Sequence, residues 1–136
     1  MLKENDNGRN VKMADKIRLA DVVVDCPDEE KLCAFYEGLL GWKRSELFGH
    51  PAVVSENGVM FAFVKDDFQY EPPVWPDAPG KPQKQLHFDF LVPDVAAAVE
   101  KAESLGAKKA DAQYGAEKFT TMIAPAGHPF CLCKAN

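Results

Sequence analysis

Two residues near the middle of the chain, His87 and Asp89, have side chains that can exchange protons, hydrogen-bond a ligand or bind a metal ion. They lie two positions apart in the segment KQLHFDFLVPD, so on a β-strand both side chains project from the same face. Phe88 and Phe90 then project from the other face, which is typical of a strand with one buried side. The spacing predicts a pocket in which His87 is the hydrogen-bonding or acid–base group and Asp89 orients it or acts as a base.

This segment belongs to a pattern that occurs twice along the chain. Residues 19–41 can be aligned with residues 86–106, and in each copy a Pro-Asp pair separates a strand-like stretch from a helix-like one. The pattern G-x-x-F-x-[FL]-x-K then occurs at 58–65 and again at 127–134. The repetition indicates two units of about 50–60 residues that share one plan.

Each unit is predicted to begin with a long strand, at 17–25 and at 84–92. Asp28 and Asp94 follow as helix N-caps, and each is preceded by a proline that prevents the helix from starting earlier. The remaining strands are predicted at 42–47, 52–56 and 59–65 in the first unit and at 107–112, 118–124 and 129–134 in the second. The sequence therefore predicts an α+β fold of two tandem βαβββ units whose curved mixed sheets pair to form a cleft.

The organisation along the chain follows from these units. Residues 1–15 are polar and are predicted to form a flexible extension, while residues 16–136 form a single domain. Within that domain, unit one spans 16–66 and unit two spans 84–136. The connector between them, residues 67–83, is rich in proline and is predicted to be neither strand nor helix.

Composition excludes several classes of partner. The formal net charge is -5, the pI is about 5.2 and the lysines are scattered, which argues against nucleic acid and anionic membranes as partners. The four cysteines follow no disulfide or zinc-knuckle spacing, so a reduced, cytoplasmic setting is expected. No phosphate-binding loop or serine-hydrolase motif is present in the sequence.

The strand face opposite the helices is predicted to line a small-molecule cleft. Alternation places His87, Asp89 and Asp21 on this face as the catalytic candidates. Simpler roles remain open: His87 as a satisfied structural histidine, and the two carboxylates as a solvated rim. The remaining pocket-lining residues are predicted to be Ala62, Val64, Cys131, Cys133, Trp75 and His50, with the cysteines lining the pocket in preference to acting as nucleophiles. Trp75 closes over the cleft, patches the sheet junction or faces a dimer partner.

The chain resembles a known superfamily in its repeated βαβββ plan and in three motifs, FYEGLLGW, LHFDF and APAGHPFCL. It is similar to the glyoxalase/bleomycin resistance/dioxygenase (vicinal oxygen chelate) superfamily, and more narrowly to its glyoxalase-like domain subgroup, over residues 17–134. The resemblance implies a homodimeric lyase or isomerase that acts on a small molecule in a cleft around His87. The alternative that it implies is a non-catalytic small-molecule binding or drug-resistance protein that sequesters its ligand in the same cleft.

Metal-dependent members of the superfamily take ligands from the first and last strands of each unit. The resemblance places Asp21, Ala62, His87 and Cys131 at those positions. Ala62 has no donor atom, and a thiolate departs from the usual oxygen and nitrogen ligands. The sequence thus identifies no cofactor and disfavours a divalent metal, whose ligands, if one binds, would be Asp21, His87 and Cys131.

Overall fold

The computed structural model describes residues 2–4, 10–12 and 16–135. Within these ranges, two helices, α1 (Glu29–Leu40) and α2 (Val95–Ser104), accompany ten strands. No helix in these ranges is long and apolar enough to cross a membrane. The strands are β1 (Leu2–Glu4), β2 (Asn10–Lys12), β3 (Val22–Cys26), β4 (Lys43–Leu47), β5 (His50–Val54), β6 (Met60–Lys65), β7 (Phe88–Val92), β8 (Lys108–Lys109), β9 (Phe119–Ile123) and β10 (Pro129–Lys134).

The two units have the same sheet topology. The first sheet has the order β3-β6-β5-β4 and the second has the order β7-β10-β9-β8. In each sheet the first and last strands of the unit run parallel, and the other neighbours are antiparallel. Both sheets are open. This arrangement confirms an α+β fold of two tandem βαβββ-like units.

The short strands β1 and β2 pair with each other in an antiparallel manner. They belong to the segment 1–15, which the sequence predicts to be a flexible extension. The other residues of this segment lie outside the described part of the chain.

The opening strand of each unit starts later than predicted. β3 begins at Val22, which pairs with Phe61, and β7 begins at Phe88, which pairs with Phe130. β3 and β7 are edge strands, so each has only one neighbour to hydrogen-bond with, and that neighbour begins just one residue before the first pair. Residues before Val22 therefore run beyond the reach of β6. β8 is also shorter than predicted, because only two of its residues pair with β9.

Local sequence explains where the helices begin. The carboxylate of Asp28 accepts a hydrogen bond from the backbone N–H of Lys31 at 3.0 Å, and that of Asp94 accepts one from Ala97 at 3.1 Å. Both acids thus cap a helix N-terminus as predicted. α1 ends at Gly41, which has the left-handed backbone (φ 67°) that a C-terminal cap requires.

One aromatic core joins the two units. Tyr36 of α1 stacks on Phe63 of unit one with ring centroids 5.5 Å apart, and its ring also lies 6.2 Å from Phe88 of unit two. Phe61 and Phe88, one from each unit, stack at 4.4 Å. The hydroxyl of Tyr36 is buried without a hydrogen-bond partner among the described residues. The phenylalanines of β6 and β7 therefore face an interior that both units share.

The connector packs against unit two. The hydroxyl of Tyr70 donates a hydrogen bond to the backbone oxygen of Ala126 at 2.8 Å, and the indole Nε1 of Trp75 donates one to the backbone oxygen of Ala112 at 2.9 Å. Between these anchors, Pro72 approaches Gly127 so closely that a side chain on the glycine would collide with it. The connector is thereby held over the β9–β10 turn and beside β7.

Candidate functional site

The register of the second sheet brings three potential ligand groups together. Cys131 of β10 lies opposite Asp89 of β7, and His87 immediately precedes β7. One donor atom from each of these three residues lies within 4.8 Å of the other two. The imidazole Nε2 of His87 is 3.4 Å from Oδ1 of Asp89. The predicted pairing of His87 and Asp89 on one face is therefore present, and the thiol of Cys131 lies next to both.

The Cys131 thiol contacts a buried hydroxyl group. Its Sγ lies 3.3 Å from Oγ1 of Thr121, which is completely buried. The side-chain amide of Gln113 fixes Thr121 in turn by bonding its backbone N–H at 2.8 Å and its backbone oxygen at 2.7 Å. Burial raises the pKa of the Cys131 thiol, a shift that the bond to Thr121 opposes. A neutral thiol is a weak nucleophile, which agrees with a lining role in the absence of a cation.

His87 also lines a groove between the facing edges of β3 and β7, which we call the β3–β7 groove. Its volume is about 270 Å³. Val22, Val24 and Phe88 contribute apolar surface, and the exposed carboxylate of Asp25 lies on its β3 side. The connector completes the wall. Its other lining residues include Tyr70, Glu71, Lys84 and His128.

His128, which the sequence does not identify as a site residue, also lines the groove. Its Nε2 lies 3.2 Å from the hydroxyl oxygen of Tyr70, which itself donates to Ala126. Burial lowers the pKa of His128, although the nearby backbone and charge of Asp25 act in the opposite direction. The imidazole is therefore held neutral between the connector and the last hairpin.

A second, larger cavity of about 920 Å³ lies between the end of α1 and α2, and we call it the α2 cavity. Most of its polar groups are engaged in structural bonds, and Asp89 also lines it. Asp94 caps α2, and Nζ of Lys101 donates to the backbone oxygen of Leu39 at 3.1 Å. Leu91 and Trp42 contribute apolar wall. Because Asp25, His87 and His128 converge on the β3–β7 groove, we regard the smaller groove as the candidate site despite its size.

Three of the predicted site residues lie outside the group formed by His87, Asp89 and Cys131. Asp21 lies just before β3, partly buried, and is not among the groups that surround His87 within 4.8 Å. Ala62 is completely buried and offers no surface to a ligand. Val64 is partly buried and lies opposite Asp25 in the sheet register, so it flanks the groove from the neighbouring strand.

The remaining predicted residues lie at different distances from His87. The ring of Trp75 is 6.4 Å from the imidazole of His87, so Trp75 stands beside the site as part of the connector. Cys133 is partly buried, two residues beyond Cys131, and burial raises its pKa. His50 is directed elsewhere: its Nδ1 lies 3.1 Å from the carboxylate of Glu29, at the start of α1.

Thr121 and His128 were not identified from the sequence. A signal for Thr121 exists, because the tight turn between β9 and β10 fixes the hairpin register and places Thr121 opposite Cys131. No comparable signal identifies His128. Its position in the groove depends on where the connector crosses the hairpin, which is a long-range contact.

The four superfamily metal positions do not fit a metal in this chain. Ala62 has no donor atom, and Asp21 stands apart from His87 and Cys131. No catalytic step through a metal held at these four positions follows from this arrangement.

Comparison with known proteins places the chain in a family. The sequence profile of the glyoxalase-like domain matches residues 21–133. No curated protein sequence matches the chain.

Solved structures share the fold at low sequence identity. A glyoxalase/bleomycin resistance protein/dioxygenase family enzyme from Burkholderia phytofirmans PsJN has a TM-score of 0.65 at 13% identity, covering 86% of this chain and 98% of its own. A glyoxalase/bleomycin resistance protein from Albidiferax ferrireducens T118 has a TM-score of 0.62 at 15% identity, covering 87% and 98%. An antibiotic binding protein from Streptomyces sp. CB03234 has a TM-score of 0.56 at 17% identity, covering 89% and 98%. From the profile match and the shared fold together, the chain belongs to the glyoxalase-like domain family of the vicinal oxygen chelate superfamily.

Proposed function

We propose that this protein binds a small organic molecule in the β3–β7 groove. The observation that carries the proposal is the convergence of Asp25, His87 and His128 on one partly apolar groove. Small-molecule sites combine apolar walls with a few polar groups that fix orientation, and this groove has both. Asp25 makes no ion pair among the described residues, so its carboxylate is available to a ligand.

The charges around the groove favour a ligand with an apolar body and a cationic or hydrogen-bond-donating group. Asp25 and Glu71 supply two carboxylates, while the one lysine of the wall, Lys84, is engaged by Asp77 at 3.1 Å. Its Nζ also lies 5.3 Å from the ring centroid of Trp75. The aromatic surface of Tyr70 and Phe88 beside these carboxylates suits a cationic guest. The antibiotic-binding neighbour from Streptomyces supports a ligand-binding role for this fold.

A second candidate is an enzyme of lyase or isomerase type that acts on the bound molecule. The proximity of Asp89 Oδ1 to His87 Nε2 favours it, because a small side-chain movement would bring the carboxylate, 3.4 Å away, close enough to orient the ring for proton transfer. His87 is the group that would exchange the proton with the substrate, and Asp89 is its positioning residue. An identified substrate whose turnover is unchanged in His87→Ala would exclude this candidate.

The binding proposal is tested with pairs of aromatic compounds that differ only in carrying an amine or a carboxylate. We expect the amines to shift the amide NMR signals of groove residues and the carboxylates to bind more weakly. Asp25→Asn should remove most of this preference, because it removes the free carboxylate without changing the shape of the groove.

Two matched substitutions locate the site. Val23→Trp adds bulk at an exposed strand position in the groove and should abolish binding, whereas Leu91→Trp does the same in the α2 cavity and should leave binding intact. Binding that Leu91→Trp removes and Val23→Trp preserves would move the site to the α2 cavity. Binding that survives both changes would contradict both locations.

We also infer a cytoplasmic location from the cysteine pattern and a homodimeric assembly from the superfamily resemblance. The absence of disulfide spacing among the four cysteines supports the first inference. Light scattering after size-exclusion chromatography tests the second, for which a mass near 30 kDa is expected from a chain of 15.0 kDa.

A further inference from the structure

We propose that His87, Asp89 and Cys131 together bind one divalent transition-metal ion, with Zn²⁺ as the best match. The three residues supply an imidazole nitrogen, a carboxylate oxygen and a sulfur atom within 4.8 Å of one another. All three come from unit two. The inference does not depend on the groove ligand, because a metal can be measured alone.

The distance between His87 and Asp89 fits metal ligands better than a hydrogen bond. Charge-assisted hydrogen bonds are about 2.7–2.9 Å long, whereas Nε2 and Oδ1 are 3.4 Å apart. Two ligand atoms at about 2.1 Å from a tetrahedral ion lie about 3.4 Å from each other. The pair is therefore already spaced as two corners of such a site.

Small movements of His87 and Asp89 can bring all three ligands to metal-binding distances. The side chains of His87 and Asp89 are 36% and 61% exposed, so both can change rotamer at low cost. Cys131 is only 4% exposed and is fixed in the sheet, so it is the anchor toward which the other two would move. A separation of about 3.5 Å between sulfur and each of the other ligands is then within reach of the observed arrangement.

Groups behind the three residues are arranged to support a ligated thiolate. Thr121 lies 3.3 Å from Sγ, where its hydroxyl can donate a hydrogen bond to the sulfur. Gln113 fixes the backbone of Thr121 on both sides. Such outer contacts orient metal ligands and raise affinity. Metal binding would release the thiol proton of Cys131 to solvent, which converts the neutral thiol into a thiolate ligand.

The ligand types select the metal. Nitrogen, oxygen and sulfur ligands in one site suit a borderline ion such as Zn²⁺ and disfavour Mg²⁺ and Ca²⁺, which prefer oxygen alone. Three protein ligands leave a fourth position for water or for a donor atom of a bound molecule. A metal at His87 would occupy its Nε2 and so replace acid–base catalysis by that residue.

This set differs from the superfamily arrangement, in which ligands come from both units. Asp89 takes the place that Asp21 would have, and no residue of the first unit contributes. The lack of a donor at Ala62 therefore does not weigh against the proposed site.

The test uses the full-length chain without a histidine tag, stripped with a chelator and titrated with Co²⁺. We expect one equivalent to bind and to produce a thiolate-to-cobalt charge-transfer band, which an equivalent of Zn²⁺ then removes. Cys131→Ser should abolish the band, and the matched control Cys133→Ser should retain it. Circular dichroism confirms that each variant is folded.

A second matched pair separates the proposed ligand set from that of the superfamily. Asp89→Asn should weaken Co²⁺ binding by at least about tenfold, whereas Asp21→Asn should change it by less than about twofold. Absence of the band in the wild type, its loss in Cys133→Ser, or a larger effect of Asp21→Asn than of Asp89→Asn would overturn the proposal. The metal is measured by Co²⁺ absorption and the groove ligand by amide NMR shifts, so failure of the groove hypothesis can be told apart from failure of the metal site.

Discussion

The partly buried imidazole of His128, at the rim of the groove, links the stability of the protein to pH. His128 contacts the hydroxyl of Tyr70 and lies near the backbone of Asp25, and burial lowers its pKa from the ordinary value of 6.5. The unfolded chain therefore takes up a proton on this residue more readily than the folded chain does. The stability that the neutral imidazole of His128 contributes is therefore fully present above pH 6.5 and is progressively lost as the pH falls below 6.5.

We predict that the wild type loses more unfolding free energy than His128→Asn when the pH is lowered from 8 to 5.5. The difference arises from one proton and can reach about 1.4 kcal/mol per pH unit below 6.5. Urea unfolding at each pH measures it, and the comparison at pH 8 gives the cost of the substitution itself. Equal pH dependence of the two proteins would show that His128 is not protonated more easily on unfolding.

At the scale of elements, the connector packs closely against the β9–β10 turn. Gly127 in the β9–β10 turn has a φ of +100°, and a side chain there would collide with Pro72. Gly58 is its counterpart in unit one, with a φ of +89° and no atom near enough to contact a side chain. The two glycines therefore share a backbone requirement but differ in packing.

We predict that Gly58→Ala lowers the free energy of unfolding by about 1–3 kcal/mol through backbone strain alone. Gly127→Ala should cost a further amount of about 1–3 kcal/mol, because it also forces the connector away. Urea denaturation measures both. Pro72→Gly should recover part of the extra loss in the Gly127→Ala background, and equal costs for the two glycines would contradict the connector contact.

Local pattern was sufficient to predict the order of the elements from β3 onward and the two aspartates that cap the helices. Alternation predicted that His87 and Asp89 share a face, because side-chain direction in a strand depends on neighbours in sequence. The late start of β3 was not predictable in this way. It depends on where β6 begins, and that is a property of the partner strand.

The composition of the site depended on long-range contacts even more strongly. Cys131 joins Asp89 because of the β7–β10 register, and Asp21 stays apart although the superfamily resemblance gives both Asp21 and His87 ligand positions. His128 enters the groove only because the connector crosses the last hairpin at Tyr70. The sequence therefore predicted which face would be polar, and tertiary structure determined which polar groups meet.

For the molecule as a whole, the connector breaks the symmetry of two otherwise similar units. Ala126, the residue before Gly127, accepts the hydrogen bond of Tyr70, so the connector occupies that junction. Its equivalent before Gly58 is Asn57, which lines the α2 cavity. One junction between the units is thus filled by the chain, and the corresponding junction is open.

The shared aromatic core makes both units one cooperative structure. Tyr36 of α1 contacts rings of both sheets, and Phe61 stacks on Phe88 across the junction. Neither sheet can lose its neighbour without exposing these rings to water, and burial of aromatic side chains dominates core stability. We therefore expect a single unfolding transition.

The two tryptophans can test this expectation because they report on different parts of the molecule. Trp42 lies 5.0 Å from Phe61 in unit one, and Trp75 is bonded to Ala112 of unit two. We predict that urea unfolding followed by fluorescence coincides with unfolding followed by far-ultraviolet circular dichroism in Trp42→Phe and equally in Trp75→Phe. Each variant is compared with itself, so a change in its overall stability does not affect the result. A fluorescence midpoint below the circular dichroism midpoint in Trp42→Phe alone would mean that the connector detaches from unit two before the aromatic core unfolds.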